Sequence, residues 1–165
     1  MSPTVVLVAV DDAVLAELVK AARTVRNANE VTPPLTPGEA WTPERIEWLR
    51  RLHRDCRAGL DGPAGQATWA ITEAGRVVGA VRLGRTDEDG VLETGIWLTR
   101  GARGHGVGQA AIAAALDEAA TRGAEAVRAE TTSRNAAALS VLQRLGFELS
   151  PADDGQGVRA LRRLT

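Results

Sequence analysis

An unbroken apolar run, Val5 to Val10, opens the pattern and reads as a strand, because most of its side chains branch at Cβ. The period then lengthens. Val14, Leu15, Leu18, Val19 and Ala22 fall at helical spacing behind Asp11 and Asp12, which offer an N-cap. Asn27 to Trp41 holds Pro33, Pro34, Pro37 and Gly38, so it is a loop. Thr42-Pro43 starts a second helix, threonine at the cap and proline at the first position; Ile46, Leu49, His53 and Cys56 share one face of it, and Gly59 to Gly65 closes it. Ala67 to Thr72, Arg76 to Arg85 and Val91 to Leu98 alternate or run apolar. Turns at Glu73-Ala74-Gly75 and Asp87-Glu88-Asp89-Gly90 join them into an antiparallel meander. A helix over about Val107 to Arg122, a strand from Ala126 to Thr132 and a helix from Ala136 to Leu145 follow, the helices stopped by Gly123 and Gly146. Ser150 to Gly157 is polar and turn-rich, and Val158 to Leu164 reads as a last edge strand. The expected class is α/β in the broad sense (α+β): a mixed sheet with helices on both faces.

Composition narrows the function classes. A chain of 165 residues is one domain, 1–165, with enough length to bury a core. The formal net charge of -1 lacks the footprint of a nucleic-acid binder, so no nucleic-acid partner is expected. No apolar run is long enough to cross a bilayer, and Met1-Ser2-Pro3-Thr4 lacks the basic start of a secretory signal. Cys56, the single cysteine, has no internal partner, which fits a reducing, cytoplasmic setting; it reads as a half-buried helix residue rather than a nucleophile. No metal site is assigned.

The chemistry concentrates between Leu98 and Ala111. This stretch leaves a strand and enters a helix whose apolar stripe is Ile112, Ala115, Leu116 and Ala119. A helix start presents unpaired N–H groups and partial positive charge. Here glycines stand where a Ser, Thr, Asp or Asn cap is usual, which suits a phosphate or diphosphate, and Arg103 adds a cationic fork. A Walker A loop is excluded, because no lysine lies here. A plain glycine turn remains open, and so does a dinucleotide fingerprint: Gly106-Val107-Gly108-Gln109-Ala110-Ala111 fits G-x-G-x-x-A, with Glu125 and Glu130 at ribose distance.

Arg103-x-x-Gly106-x-Gly108 resembles the Q/R-x-x-G-x-G/A acetyl-CoA signature of the GNAT N-acetyltransferase superfamily. Glu93 to Leu98 resembles the fourth strand of its ribosomal-protein N-terminal branch, and Asn135 to Phe147 resembles the family's asparagine-to-Gly-Phe helix. The resemblance implies a fourth and a fifth strand that splay apart, with pantetheine in the gap. Residues 1–66 would form the acceptor side and 67–165 the acetyl-CoA-binding core. It places the Leu98 backbone on pantetheine, the N–H groups of Gly104, Gly106, Val107, Gly108 and Gln109 on the diphosphate, and Asn135 against the cofactor as well as at a helix N-cap. Gly95 is a natural bulge site, or else a small residue for close packing; His105 is expected to face solvent, and Arg144 to reach a CoA phosphate or only water. Similar proteins are commonly dimers.

Acetyl transfer to an amine needs a base for the ammonium, donors for an oxyanion, and release of thiolate. Glu93 is the first choice of base, acting through water, and His53 the second. Many relatives carry a tyrosine acid on the last helix; the matching position is Leu142, and the chain has no tyrosine, with Ser133 and Ser140 the hydroxyls nearest to hand. Glu30, Glu39, Glu44, Glu47, Asp55 and Asp61 cluster in the acceptor segment, which leans the acceptor towards a small cationic amine such as an aminoglycoside. A protein N-terminal α-amine, or a non-catalytic acyl-CoA-binding role, are the alternatives. Trp41, Trp48, Trp69 and Trp97 line a pocket or fill the core.

Overall fold

A computed structural model of the chain describes residues 4–152 and 155–164. Residues 1–3, 153–154 and 165 lie outside it, and with them the start of the chain and the centre of the expected turn at Ser150 to Gly157. Seven strands form one sheet in the order β1-β2-β3-β4-β5-β7-β6. They are β1 (Val5–Ala9), β2 (Gln66–Glu73), β3 (Arg76–Arg85), β4 (Val91–Leu98), β5 (Ala126–Thr132), β6 (Glu148–Pro151) and β7 (Gly157–Arg163). Four helices surround it: α1 (Asp12–Ala22), α2 (Pro43–Asp55), α3 (Val107–Thr121) and α4 (Ala136–Arg144).

The caps follow from residue chemistry. Asp11 accepts from the Val14 N–H at 2.8 Å to open α1, Thr42 accepts from Arg45 at 3.3 Å ahead of Pro43, and Asn135 accepts from Ala138 at 3.1 Å to open α4. Two cores hold the layers together. On one face of the sheet α3 lays Val107, Ala111, Ile112, Ala115 and Ala119 against Ile71, Val81, Leu83, Leu92 and Val127. On the other, Leu15, Leu18, Val19 and Ala22 of α1 and Leu49 of α2 meet Ala70 and Ala80. The buried face of α2 is Arg45, Leu49 and His53, with Cys56 just past its end; Ile46 is only half-buried, so the face is turned by one residue from the sequence expectation at its start.

Two expectations at the C-terminal end are corrected. Val158 and its neighbours are not an edge strand, because β7 is internal, paired with β5 along its whole length and with β6 on its other side. The edge is β6, which begins inside what the apolar pattern left unassigned after Gly146. Its four residues are too few to show alternation.

The sheet is antiparallel except where β4 runs beside β5. These two pair only at Val91–Ala126, Leu92–Val127 and Glu93–Arg128, then part, as the resemblance implied. Outside the gap both remain fully paired: β4 with β3 as far as Leu98–Gly79, and β5 with β7 as far as Thr132–Gly157. No bulge interrupts β4 at Gly95, which pairs in register with Arg82. The irregularity lies between β2 and β3, where the register steps from Ile71–Gly79 to Thr72–Val77 and leaves Val78 over.

Gly79 holds β3 against β4 at this end. A Cβ there would stand 2.1 Å from the Trp97 carbonyl oxygen and 3.1 Å from the Leu98 Cα, both backbone atoms that cannot give way. Gly79→Ala should therefore cost roughly 3 kcal/mol. Gly101→Ala, where a Cβ meets nothing within 4 Å, should be near neutral. Urea unfolding midpoints of the two variants check the contrast.

Candidate functional site

The site begins where α3 does. Gly104 and Gly106 take φ of +85° and +90°, a left-handed region that costs side-chain-bearing residues strain. Gly106 is the N-cap of α3, with no side-chain hydrogen bond to close it. Among the described residues no protein atom accepts from the amides of Gly104, His105, Gly106, Val107, Gly108 and Gln109; the first amide with a partner is Ala110, which donates to the Gly106 carbonyl at 3.1 Å. A row of uncapped N–H groups at a helix N-terminus fits the oxygens of a diphosphate in chemistry and in charge. Gly108 lies against Leu98: a Cβ there would be 3.5 Å from the Leu98 Cδ1, so loop and strand end adjoin.

The strand end is also turned towards the gap. Thr99 donates to the Val78 carbonyl at 2.8 Å. In an antiparallel ladder bonded pairs alternate, which turns the backbone groups of Trp97 and Gly95 to β3 and those of Leu98 and Ile96 to the open side. Arg103 confirms that direction, since its Nε and Nη2 donate to the Leu98 carbonyl at 3.2 and 3.0 Å. The guanidinium does not lie free beside the glycines as the sequence had led us to expect. Its Nη2 also meets Glu30 at 3.1 Å, so the fork closes on an unpaired carbonyl and a carboxylate. His105 likewise is exposed but engaged, its Nε2 2.9 Å from the Glu73 carboxylate on β2. Arg144 is exposed on the last turn of α4, and Leu142, at the position of the family's tyrosine, is buried.

On the α1–α2 face, where the parting starts, Arg82 Nη2 donates to Glu93 Oε1 at 2.7 Å, and Arg128 Nη2 stands 3.8 Å from Glu93 Oε2. A groove runs along α2 above these residues. It has a largely apolar lobe of about 190 Å³ between Trp48, Leu52, Ile96 and Trp97, with Glu30 on its rim, and a second lobe of about 450 Å³ reaching Gln66, Arg85 and Glu93. Both lobes share Trp48, Leu52 and Arg82 as walls. Trp41 and Trp69 serve the interior instead: Trp41 donates to the Val25 carbonyl at 2.8 Å, and Trp69 packs under Arg122 at 5.5 Å. A cavity of about 530 Å³ lies at the other end of the sheet, by Asp61, Gly90 and Gly123, away from the glycine loop.

Sequence reasoning missed Arg45, which is fully buried without a carboxylate partner among the described residues. It donates to Asn29 Oδ1 (2.8 Å), Thr32 Oγ1 (3.3 Å), Thr36 Oγ1 (2.9 Å) and the carbonyls of Thr36 (2.8 Å) and Gly38 (2.9 Å). The signal was there: Arg45 precedes Leu49 and His53 by one and two helical turns. Arg82 was also passed over, hidden in a strand otherwise read for its apolar residues.

Burial decides the chemistry of Cys56, already read as no nucleophile, and of His53, the second choice of base. Cys56 is buried, and desolvation, with Asp55 beside it, raises its thiol pKa, so the thiolate is disfavoured. His53 is 2% exposed, bonded through Nδ1 to Thr68 Oγ1 at 2.9 Å, with Nε2 buried and unpartnered. Burial lowers its pKa from 6.5 to about 4, so it stays neutral at pH 7 and is too weak a base for an ammonium. The same depression makes His53 an acid-sensitive point. Its contribution is fully present above pH 6.5 and is lost as the pH falls towards 4, because the unfolded chain takes up the proton first. His53→Gln should flatten the fall in unfolding free energy over this window by up to about 1.4 kcal/mol per pH unit, read from urea titrations at pH 7, 5.5 and 4.5.

The family described as "Acetyltransferase (GNAT) domain" matches residues 5–148. No curated protein matches. Among solved structures the chain is similar to the RimL ribosomal L7/L12 alpha-N-protein acetyltransferase in complex with coenzyme A, at 14% identity and TM-score 0.79, covering 98% of this chain and 94% of that one. It is similar to the GNAT domain of S. lividans PAT at 19% identity and TM-score 0.73, covering 98% and 90%. It is also similar to the microcin C7 self-immunity acetyltransferase MccE in complex with acetyl-CoA and AMP, at 14% identity and TM-score 0.71, covering 96% and 92%. At these identities the likeness is one of fold.

Proposed function

The chain belongs to the GNAT acetyltransferase family, an acyltransferase family whose co-substrate is acetyl-CoA, and from that premise we propose that it acetylates a small primary amine bound in the groove beneath α2. The observation that carries this is the junction of two features: six successive amides with no protein acceptor at the mouth of α3, and the parted strands beside them. The group bound there supplies an acetyl thioester.

The chain's own residues do the rest. Amides from Gly104 to Gln109 hold the diphosphate, each charge-assisted bond contributing about 1.5–3 kcal/mol before costs. The Leu98 N–H, whose carbonyl is taken by Arg103, and the backbone groups of Ile96 would hold the pantetheine amides and offer an N–H to the thioester carbonyl oxygen. Asn135 caps α4 at the mouth of the gap and so places its first turn against the cofactor. Glu93 stands at the last position of β4 that pairs with β5, with Oε1 tied to Arg82 and no hydrogen-bond donor on Oε2 among the described residues. That oxygen, 3.8 Å from Arg128 Nη2, orders a water, and the water relays the ammonium proton.

The lean towards an aminoglycoside rested on a run of acidic residues. Of these, Glu30 lines the groove and is paired with Arg103, while Glu39, Glu44, Glu47 and Asp55 are exposed outside its walls. A small amine with a limited positive charge therefore suits the groove better than a polycation. Soluble or membrane-bound placement is not needed for this chemistry; no helix among the described residues is long and apolar enough to cross a bilayer.

Two substitutions test the assignment. Gly106→Glu sets bulk and negative charge against the diphosphate and should weaken coenzyme A binding at least tenfold beyond Gly106→Ala, which carries the same strain at φ +90° without the charge. Calorimetric titration reads the difference; equal affinities would remove the diphosphate from this loop. Glu93→Gln should lower kcat about a hundredfold at neutral pH with coenzyme A affinity kept. Undiminished turnover in that variant removes Glu93 as the base.

A further inference from the structure

Arg82 sits on a prepared bed. A Cβ at Gly95 would stand 3.3 Å from its Nε and 3.5 Å from its Nη2, and a Cβ at Gly84 would stand 3.3 Å from its Nη1. The guanidinium thus packs close to two glycines, Gly84 on its own strand and Gly95 on β4, where side chains are missing. Packing room for Arg82, not a bulge, is what Gly95 provides. Register puts Thr68, Arg82 and Gly95 in one row across β2, β3 and β4, on the face that α2 covers.

A guanidinium has five N–H donors in a fixed plane. Here Nη2 serves Glu93, and no other acceptor among the described residues is bonded to the group. The side chain is 35% exposed, and the fork faces a groove whose neighbouring lobe is apolar. The last β4–β5 pair, Glu93–Arg128, is two residues from Gly95 along β4, and Arg82, bonded to Glu93, stands beside the point where the two strands part. Arg82 has Glu93 as its one carboxylate partner among the described residues, while Arg128 is shared between Glu93 at 3.8 Å and Asp87 at 3.5 Å.

We propose, on the basis of the acetyltransferase reading above, that the acceptor is a free α-amino acid with an apolar side chain. Its carboxylate rests on the spare donors of Arg82 and its side chain enters the lobe between Trp48 and Trp97. A volume of about 190 Å³ takes a side chain of leucine or phenylalanine size. The amine then points to the parting of β4 and β5. The amino nitrogen forms a bond to the acetyl carbon as the carbon–sulfur bond breaks with its electron pair going to sulfur. The ammonium gives up two protons in all, one ending on the thiol and one in solvent.

The test uses the full chain and two readouts. The first is calorimetric titration of N-acetyl-L-leucine and of N-(3-methylbutyl)acetamide, products with and without the carboxylate, into the coenzyme A complex. The second is thiol release with L-leucine, L-leucinamide, 3-methylbutylamine and a kanamycin-type sugar. A charge-assisted fork should favour L-leucine over both analogues by about 10- to 100-fold in kcat/KM and bind only the carboxylate-bearing product. Arg82→Gln should collapse that ratio towards one, and Arg82→Lys, which keeps the charge without the fork, should leave a reduced preference; circular dichroism confirms that each variant is folded. L-leucinamide, 3-methylbutylamine or a kanamycin-type sugar turned over as well as L-leucine overturns the proposal and leaves the transferase reading standing. Binding of N-acetyl-L-leucine through Arg82 without thiol release from any acceptor supports the carboxylate site and overturns the transferase reading. Neither binding nor turnover of the carboxylate compounds overturns the proposal.

Discussion

Two neighbouring strands that stop pairing in the middle of a sheet leave backbone groups which must find partners elsewhere, and the site is built on that constraint. Interior N–H and C=O groups are costly to leave unpaired. The gap after Glu93–Arg128 is held open from outside, since β3 keeps β4 in register to Leu98 and β7 keeps β5 in register to Thr132. Neither strand can swing to close it without breaking a full antiparallel ladder. The free amides at the start of α3 stand at the same opening. A thioester cofactor with amide groups and a diphosphate, held as proposed above, would satisfy both sets of orphan groups together, so that one ligand fits what would otherwise be two defects.

The acceptor side is secured by a different device. The loop between α1 and α2 has little regular structure and gains its shape from Arg45, whose buried guanidinium is solvated by hydroxyls and carbonyls of Asn29, Thr32, Thr36 and Gly38. A buried charge without such partners would cost several kcal/mol, so the loop and the arginine require each other. The loop end at Glu30 is then joined to Arg103 and through it to the Leu98 carbonyl. The groove rim and the cofactor cradle are thereby mechanically continuous. Exposed pairs such as this one contribute at most about 1 kcal/mol, so the junction positions the two halves more than it stabilises them.

The amino-acid sequence exposed most of the fold because its signals are local. Strands β2 to β4 alternate, helix starts carry Asp11, Thr42-Pro43 and Asn135, and Gly123 and Gly146 mark the ends. The glycine loop was legible for the same reason: a helix without a capping side chain is unusual at the level of residues. Side-chain partners were not legible. Arg103 turning to Glu30, His105 to Glu73, and Arg82 to Glu93 and Gly95 depend on how separate strands and loops come together in the fold. Gly95 shows the difference well. Its conformational freedom invited a bulge, but its backbone is ordinary strand, and what it supplies is an absence of side chain under an arginine on the next strand. The short edge strand β6 was missed because four residues give period-2 reasoning too little to count.

The absence of tyrosine can be weighed on the same terms. Leu142 is buried among the apolar residues that support α3 and Phe147, so the position that carries an acid in many relatives is here part of the core. A thiol with an ordinary pKa near 8.5 leaves as thiolate at modest cost near neutrality, and an acid at this point would save only the small penalty between that value and the working pH. The harder demand is to bring an amine, deprotonated, to a carbonyl carbon. In the function proposed above, proton removal and orientation fall to the α2 face, where Glu93, Arg82 and the tryptophan-lined lobe stand together at the point of parting. On that proposal, residues of this face, rather than of α4, are the ones whose substitution should change rate and acceptor choice.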